Sequence, residues 1–89
     1  MEISFSEGFK KSFRKRIKGS SLEIEFDESL KLFLIKPFNP NLKTHKLSGK
    51  LKGLWSSSVN YEIRVAFYFT KSKPRKAVFV DIGNHDQVY

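Results

Sequence analysis

Apolar residues recur every three or four positions through the first third of the chain. They crowd into β-branched and aromatic runs through the last third, and that change of period divides the sequence in two. Residues 2–5 (Glu-Ile-Ser-Phe) alternate and predict a short strand. Ser6 then stands where a helix N-cap is wanted, with Glu7 in the first turn, where the helix dipole favours an acid. Phe9, Phe13 and Ile17 draw one apolar stripe, Lys10, Lys11, Arg14, Lys15 and Lys18 cover the other faces, and Gly19 marks the end. Ser20 followed by Glu23 has the spacing of a capping box and predicts a second helix. Leu22, Phe26, Leu30, Phe33 and Leu34 form its stripe, and Pro37 stops it. Residues 37–41 read as loop.

From Leu54 the period changes. Leu54 to Val59 predicts a strand, Asn60 a turn or bulge, and Ile63 to Thr70 a second strand rich in β-branched and aromatic residues. Residues 71–75 (Lys-Ser-Lys-Pro-Arg) read as a hairpin turn. Ala77 to Ile82 is nearly all apolar, which places it inside a sheet; Gly83 breaks it, and residues 84–89 read as a turn or tail. Strand, helix, helix, strand, strand, strand predicts an α+β fold with two helices packed on an antiparallel sheet. The chain has 89 residues, which is read as one domain, 1–89.

Charge adds direction to this picture. Seventeen Lys and Arg against nine Asp and Glu give a net charge of +8. Bases gather at Lys10 to Lys18, Lys43 to Lys52 and Lys71 to Lys76, whereas acids gather at Glu23, Glu25, Asp27 and Glu28. Such a surface attracts a phosphate backbone, although an acidic protein would fit it too. The chain contains no cysteine, so it has no disulfide, thiol nucleophile or thiolate metal site. No apolar run approaches the roughly 18 residues that cross a bilayer, and Met1 to Phe5 lack the pattern of a signal peptide; a cytoplasmic protein is expected.

The chemistry-bearing residues are few. His45 and His85 lie at strand ends, where a sheet can hold side chains over a groove. Imidazole is the group best matched to proton transfer near neutral pH. Lys43, Lys46, Lys50 and Lys52 surround His45. Arg64 falls on a strand between apolar residues, either as an outward-facing residue or with its guanidinium fork aimed at a phosphate. Trp55 and Tyr89 can stack on bases or simply pack. RNA carries its own nucleophile, the 2′-OH, so a base, an acid and cations on the phosphate suffice to cleave it without metal or cofactor. No histidine pair has helical metal-ligand spacing, and there is no glycine-rich phosphate loop or serine nucleophile elbow.

Three segments together resemble the RelE/ParE toxin superfamily, and most of all its YafQ and RelE/StbE branch: residues 45–55 (His-Lys-Leu-Ser-Gly-Lys-Leu-Lys-Gly-Leu-Trp), 61–67 (Tyr-Glu-Ile-Arg-Val-Ala-Phe) and 82–89 (Ile-Gly-Asn-His-Asp-Gln-Val-Tyr). The resemblance implies a β-α-α-β-β-β fold and cleavage of messenger RNA in the ribosomal A site. It also implies a cognate antitoxin as partner. It places His45 and His85 in acid–base roles, Tyr89 as the terminal aromatic, Arg64 against the scissile phosphate, and a middle-strand carboxylate near Glu62. The sequence departs where some YafQ-like members carry a further histidine: Ser56 to Ser58 stand there instead, which leaves base and acid unassigned among His45, Glu62 and His85. Two other readings compete, a ParE-like inhibitor of DNA gyrase and a catalytically inactive RNA- or antitoxin-binding module. Neither requires His45, Arg64 and His85 to meet.

Overall fold

A computed structural model describes residues 1–89. The elements run β1 (Glu2–Phe5), α1 (Glu7–Arg16), α2 (Leu22–Ile35), β2 (His45–Lys46), β3 (Trp55–Ser58), β4 (Arg64–Phe69), β5 (Lys76–Gly83) and α3 (His85–Val88). Single turns of 3₁₀ helix at Pro40–Leu42 and Gly49–Leu51 flank β2. The expected α+β class holds. The sheet, however, has five strands in the order β1-β5-β4-β3-β2 and is mixed: β1 runs parallel to β5, and only the rest is antiparallel. Between β1 and β5 lie both long helices and three strands, and β1 docks on the open edge of β5 in the parallel sense; the expected antiparallel sheet describes only the C-terminal meander.

Both long helices pack on one face. Phe33 meets Phe67 and Phe79 edge-on at centroid distances of 5.0 and 5.2 Å, and Phe9 meets Phe26 and Phe79 at 5.9 and 5.7 Å. Rings bury large area per residue, which a small core needs. The α1 stripe is as expected, with Phe9 and Ile17 buried and Phe13 half-buried against the core. In α2 the buried line runs through Phe26 and Phe33 with Leu22, Leu30 and Leu32 beside it, and Leu34 is 41% exposed rather than part of the stripe.

The caps divide. Ser6 accepts from the Phe9 amide at 3.0 Å, as its position predicts. The Ser20–Glu23 capping box does not form: the helix begins after Ser21, and the Ser20 hydroxyl donates to the Ile17 carbonyl at 2.6 Å. The capping box is instead at the end read as a tail. There Asn84 and Gln87 exchange bonds at 2.8 and 2.9 Å and start α3.

Candidate active site

Strand pairing decides which side chains share a face. His45 of β2 is opposite Ser56 of β3, Ser56 is opposite Ala66 of β4, and Ser58 is opposite Arg64. Directly paired residues project to the same side, as do residues two apart. His45, Ser56, Ser58, Arg64 and Ala66 therefore share the face away from α1 and α2. Helix α3 folds back over this face. Its Val88 is buried, and the Tyr89 hydroxyl after it donates to Ser56 Oγ.

Tyr89 organises the cluster. The His85 ring stands edge-on to it, with centroids 4.7 Å apart at 82°. The Arg64 Cζ lies 5.8 Å from the Tyr89 centroid, within cation–π range. Two adjoining hollows share Arg64 and Tyr61 as walls. One, of about 420 Å³, holds Lys43 and His45, while the other, of about 360 Å³, holds Glu62, Asn84 and His85.

Each group is held by local structure. His45 Nδ1 lies 2.8 Å from the Lys43 carbonyl. A carbonyl only accepts, so Nδ1 carries the proton and the neutral ring offers Nε2 as acceptor. Lys43 adopts φ 50°, ψ 38°, the left-handed region uncommon outside glycine. The turn before β4 is built by Asn60, whose Oδ1 accepts from the Glu62 and Ile63 amides at 2.8 and 2.7 Å and whose Nδ2 donates to Glu25 of α2 at 2.7 Å. This turn leaves Tyr61 98% exposed between the hollows. His85 opens α3 and has Asp86 Oδ1 3.7 Å from its Nδ1.

Arg64 is the electrostatic centre. It takes part in no ion pair, and its Nε is buried with no hydrogen-bond partner. A buried donor left unsatisfied is disfavoured by about 1–3 kcal/mol, and more when charged. An oxyanion entering either hollow would meet it. No three His, Cys, Asp or Glu side chains converge into a group able to hold a metal ion.

No family model matches the sequence, and no curated protein does. Solved structures do. A YoeB/ParE toxin from Agrobacterium tumefaciens superposes with a TM-score of 0.76 at 15% identity, over 96% of this chain and 99% of that one. A metal-bound toxin from Helicobacter pylori gives 0.74 at 22% identity, over 100% and 99%. YafQ from E. coli strain BL21(DE3) gives 0.72 at 21% identity, over 99% and 97%. The chain has the fold of the RelE/YafQ toxins.

On this RelE-type fold the residues singled out in the sequence fall into two places. His45, Arg64, His85, Tyr89 and Lys43 meet around the paired hollows. Glu62 lines the same site from the turn rather than from the middle strand, because β4 starts only at Arg64. Lys46, Lys52 and Trp55 gather in a different groove, and Lys50, on the turn Gly49–Leu51, lines neither. Sequence reasoning missed Ser56, which anchors Tyr89, and Tyr61, which separates the hollows. Ser56 gave no signal, because its partner lies 33 residues away. Tyr61 had one: an aromatic directly after a turn-forming Asn, where no core can reach it.

Proposed function

We propose that this protein is the toxin of a type II toxin–antitoxin pair and cleaves messenger RNA as an endoribonuclease. The observation that carries this reading is the unpaired Arg64 guanidinium set between a hollow holding His45 and a hollow holding His85. The RNA 2′-oxygen attacks phosphorus as His45 Nε2 takes its proton. The 5′-oxygen leaves with a proton from His85, and a 2′,3′-cyclic phosphate remains. Arg64, with Lys43 beside it, stabilises charge on the phosphoryl oxygens as the fifth bond forms. Glu62 and Asp86 flank the His85 side, while Tyr89 fixes the planes of Arg64 and His85. In this reading the two imidazoles carry the protons, and Arg64 and Lys43 make the charge contacts, with no metal ion or cofactor. The ribosomal A site is the proposed place of cleavage and the cytoplasm the compartment. Among the structures sharing the fold, YafQ is solved as a DinJ–YafQ complex. A cognate antitoxin that covers the site is the matching proposal for this chain.

The test is induction in cells and cleavage of RNA by purified protein, comparing wild type with His45→Ala and His85→Ala. Each variant is expected to lose roughly 10²- to 10⁴-fold in cleavage rate while melting like wild type. Products should end in 2′,3′-cyclic or 3′-phosphate, and EDTA should leave the cleavage of free RNA unchanged. Growth arrest that survives His85→Ala with no new RNA ends would favour the gyrase-binding reading instead.

A further inference from the structure

The second groove lies on the other side of the sheet. Trp55 is opposite Phe67, and both belong to the helix-packed face; Lys46 is opposite Trp55. Strand alternation thus puts Lys46 and Trp55 on one side and the neighbouring His45 on the other. The groove encloses about 580 Å³, more than either hollow at Arg64, between the loop 47–54 and the end of β4. Its floor is Trp55, Phe69, Leu47 and Leu54, and its rim carries Lys46, Lys52 and Arg75.

None of those three cations takes part in an ion pair. Two of them are held against rings. Arg75 Cζ lies 4.1 Å from the Phe69 centroid, and Lys46 Nζ lies 5.5 Å from the Trp55 centroid. A guanidinium laid on a ring keeps its edge N–H groups directed away from the ring, free for a bidentate acceptor. Trp55 is only half-buried, braced edge-on by Phe38 and Phe69 at 5.3 and 5.5 Å.

We propose that this groove is a second RNA site, which binds one unstacked nucleotide by its phosphate and base, separate from the site of cleavage. Arg75 and Lys52 take the phosphate, and the base stacks on the half-buried Trp55, which Phe69 braces edge-on. Three unneutralised cations around an aromatic floor match a single-stranded nucleotide, whose charge and π-face come together. A duplex end presents its bases already stacked. The site rests on the reading of the protein as RNA-directed, and it would hold a long RNA at a point the cleaved phosphodiester does not touch.

Trp55 is the only tryptophan in the chain, so its fluorescence reports on this groove alone. The probe is a 2′-O-methyl pentanucleotide, which cannot be cleaved. It should quench Trp55 on titration. Arg75→Gln should weaken that binding roughly tenfold and flatten its salt dependence by about 0.7 in log–log slope, one phosphate contact on a single strand. Arg75→Lys should recover part of it, and His85→Ala should leave it unchanged. Cleavage of a long unmodified RNA is measured in parallel. Quenching that is absent, or equal in wild type and Arg75→Gln, overturns the second site even where cleavage is intact. Quenching that depends on Arg75 in a protein that cuts nothing upholds it and sinks the ribonuclease reading. Titration of Trp55 by poly-glutamate but not by the pentanucleotide would assign the groove to an acidic peptide and overturn the proposal.

Discussion

Arg64 sits on β4 between Ile63 and Val65, both buried, with its Nε enclosed and unbonded. A charged group held there without a partner disfavours the fold. The Tyr89 ring offsets part of the penalty, by about 0.5–2 kcal/mol for a cation over an aromatic face. Arg64→Met keeps the length of the stem and removes the buried charge. Its melting temperature should equal or exceed that of wild type, while RNA cleavage falls roughly 10²- to 10³-fold, the usual loss for one donor to a developing oxyanion. Thermal melting followed by circular dichroism, alongside a cleavage assay, checks both halves. A melting temperature lowered by several degrees would make the guanidinium a structural strut. At this scale Arg64 was legible, because a charge in an apolar strand demands a reason. The support it receives from Tyr89 was not, since that contact joins β4 to the end of the chain.

Helix α3 has four residues, far too few to persist alone in water. Three things seat it. The Asn84–Gln87 capping box closes its first turn, and Arg16 of α1 reaches across to Asp81 at 3.2 Å and the Ile82 carbonyl at 2.9 Å. Gly83 lets them approach: a Cβ there would lie 2.6 Å from Gln87 Oε1, 2.9 Å from Gln87 Cβ and 2.9 Å from Arg16 Nη1. Gly83→Ala should therefore dislodge α3 and destabilise the fold by about 1–3 kcal/mol, the range for overpacking. Because α3 carries His85 and is followed by Tyr89, cleavage should fall as well. Urea denaturation gives the first quantity, and loss of protection of the Gln87, Val88 and Tyr89 amides to hydrogen exchange locates the cause. Unchanged exchange in that variant would show that α3 does not depend on Gly83. The capping spacing at Ser20–Glu23 goes unused, while that at Asn84–Gln87 is used. At Ser20 the backbone amide already donates to the Ile17 carbonyl at 3.1 Å, so the Glu23 carboxylate finds no free N–H there to accept from.

Over the whole molecule the charge of +8 is sorted rather than spread. The acidic residues Glu23, Glu25, Asp27 and Glu28 lie on α2, across the sheet from Arg64 and His45. Lys43 and Arg64 line the His45 hollow, which opens on the opposite side. Binding of single-stranded RNA should weaken with salt at about 0.7 log units per phosphate contacted, per tenfold increase in salt. Fluorescence anisotropy from low to moderate salt measures the slope. A slope near zero would show that the basic surface is not what holds RNA. No helix is long and apolar enough to cross a membrane.

The sequence alone determined the two long helices, the three C-terminal strands, the basic surface and the short set of residues able to do chemistry. Each of these follows from local periodicity, capping chemistry or composition, which act over a few residues. Only the tertiary structure decided that β1 lies parallel beside β5, that β2 joins the sheet, and that the last residues form a helix folded over it. It also divided the basic and aromatic residues between two faces, with His45 and Lys46, neighbours in the chain, on opposite sides. The physical reason is pairing at long range. A side chain's face is set by strand register, and register depends on which segments meet, which no local pattern encodes.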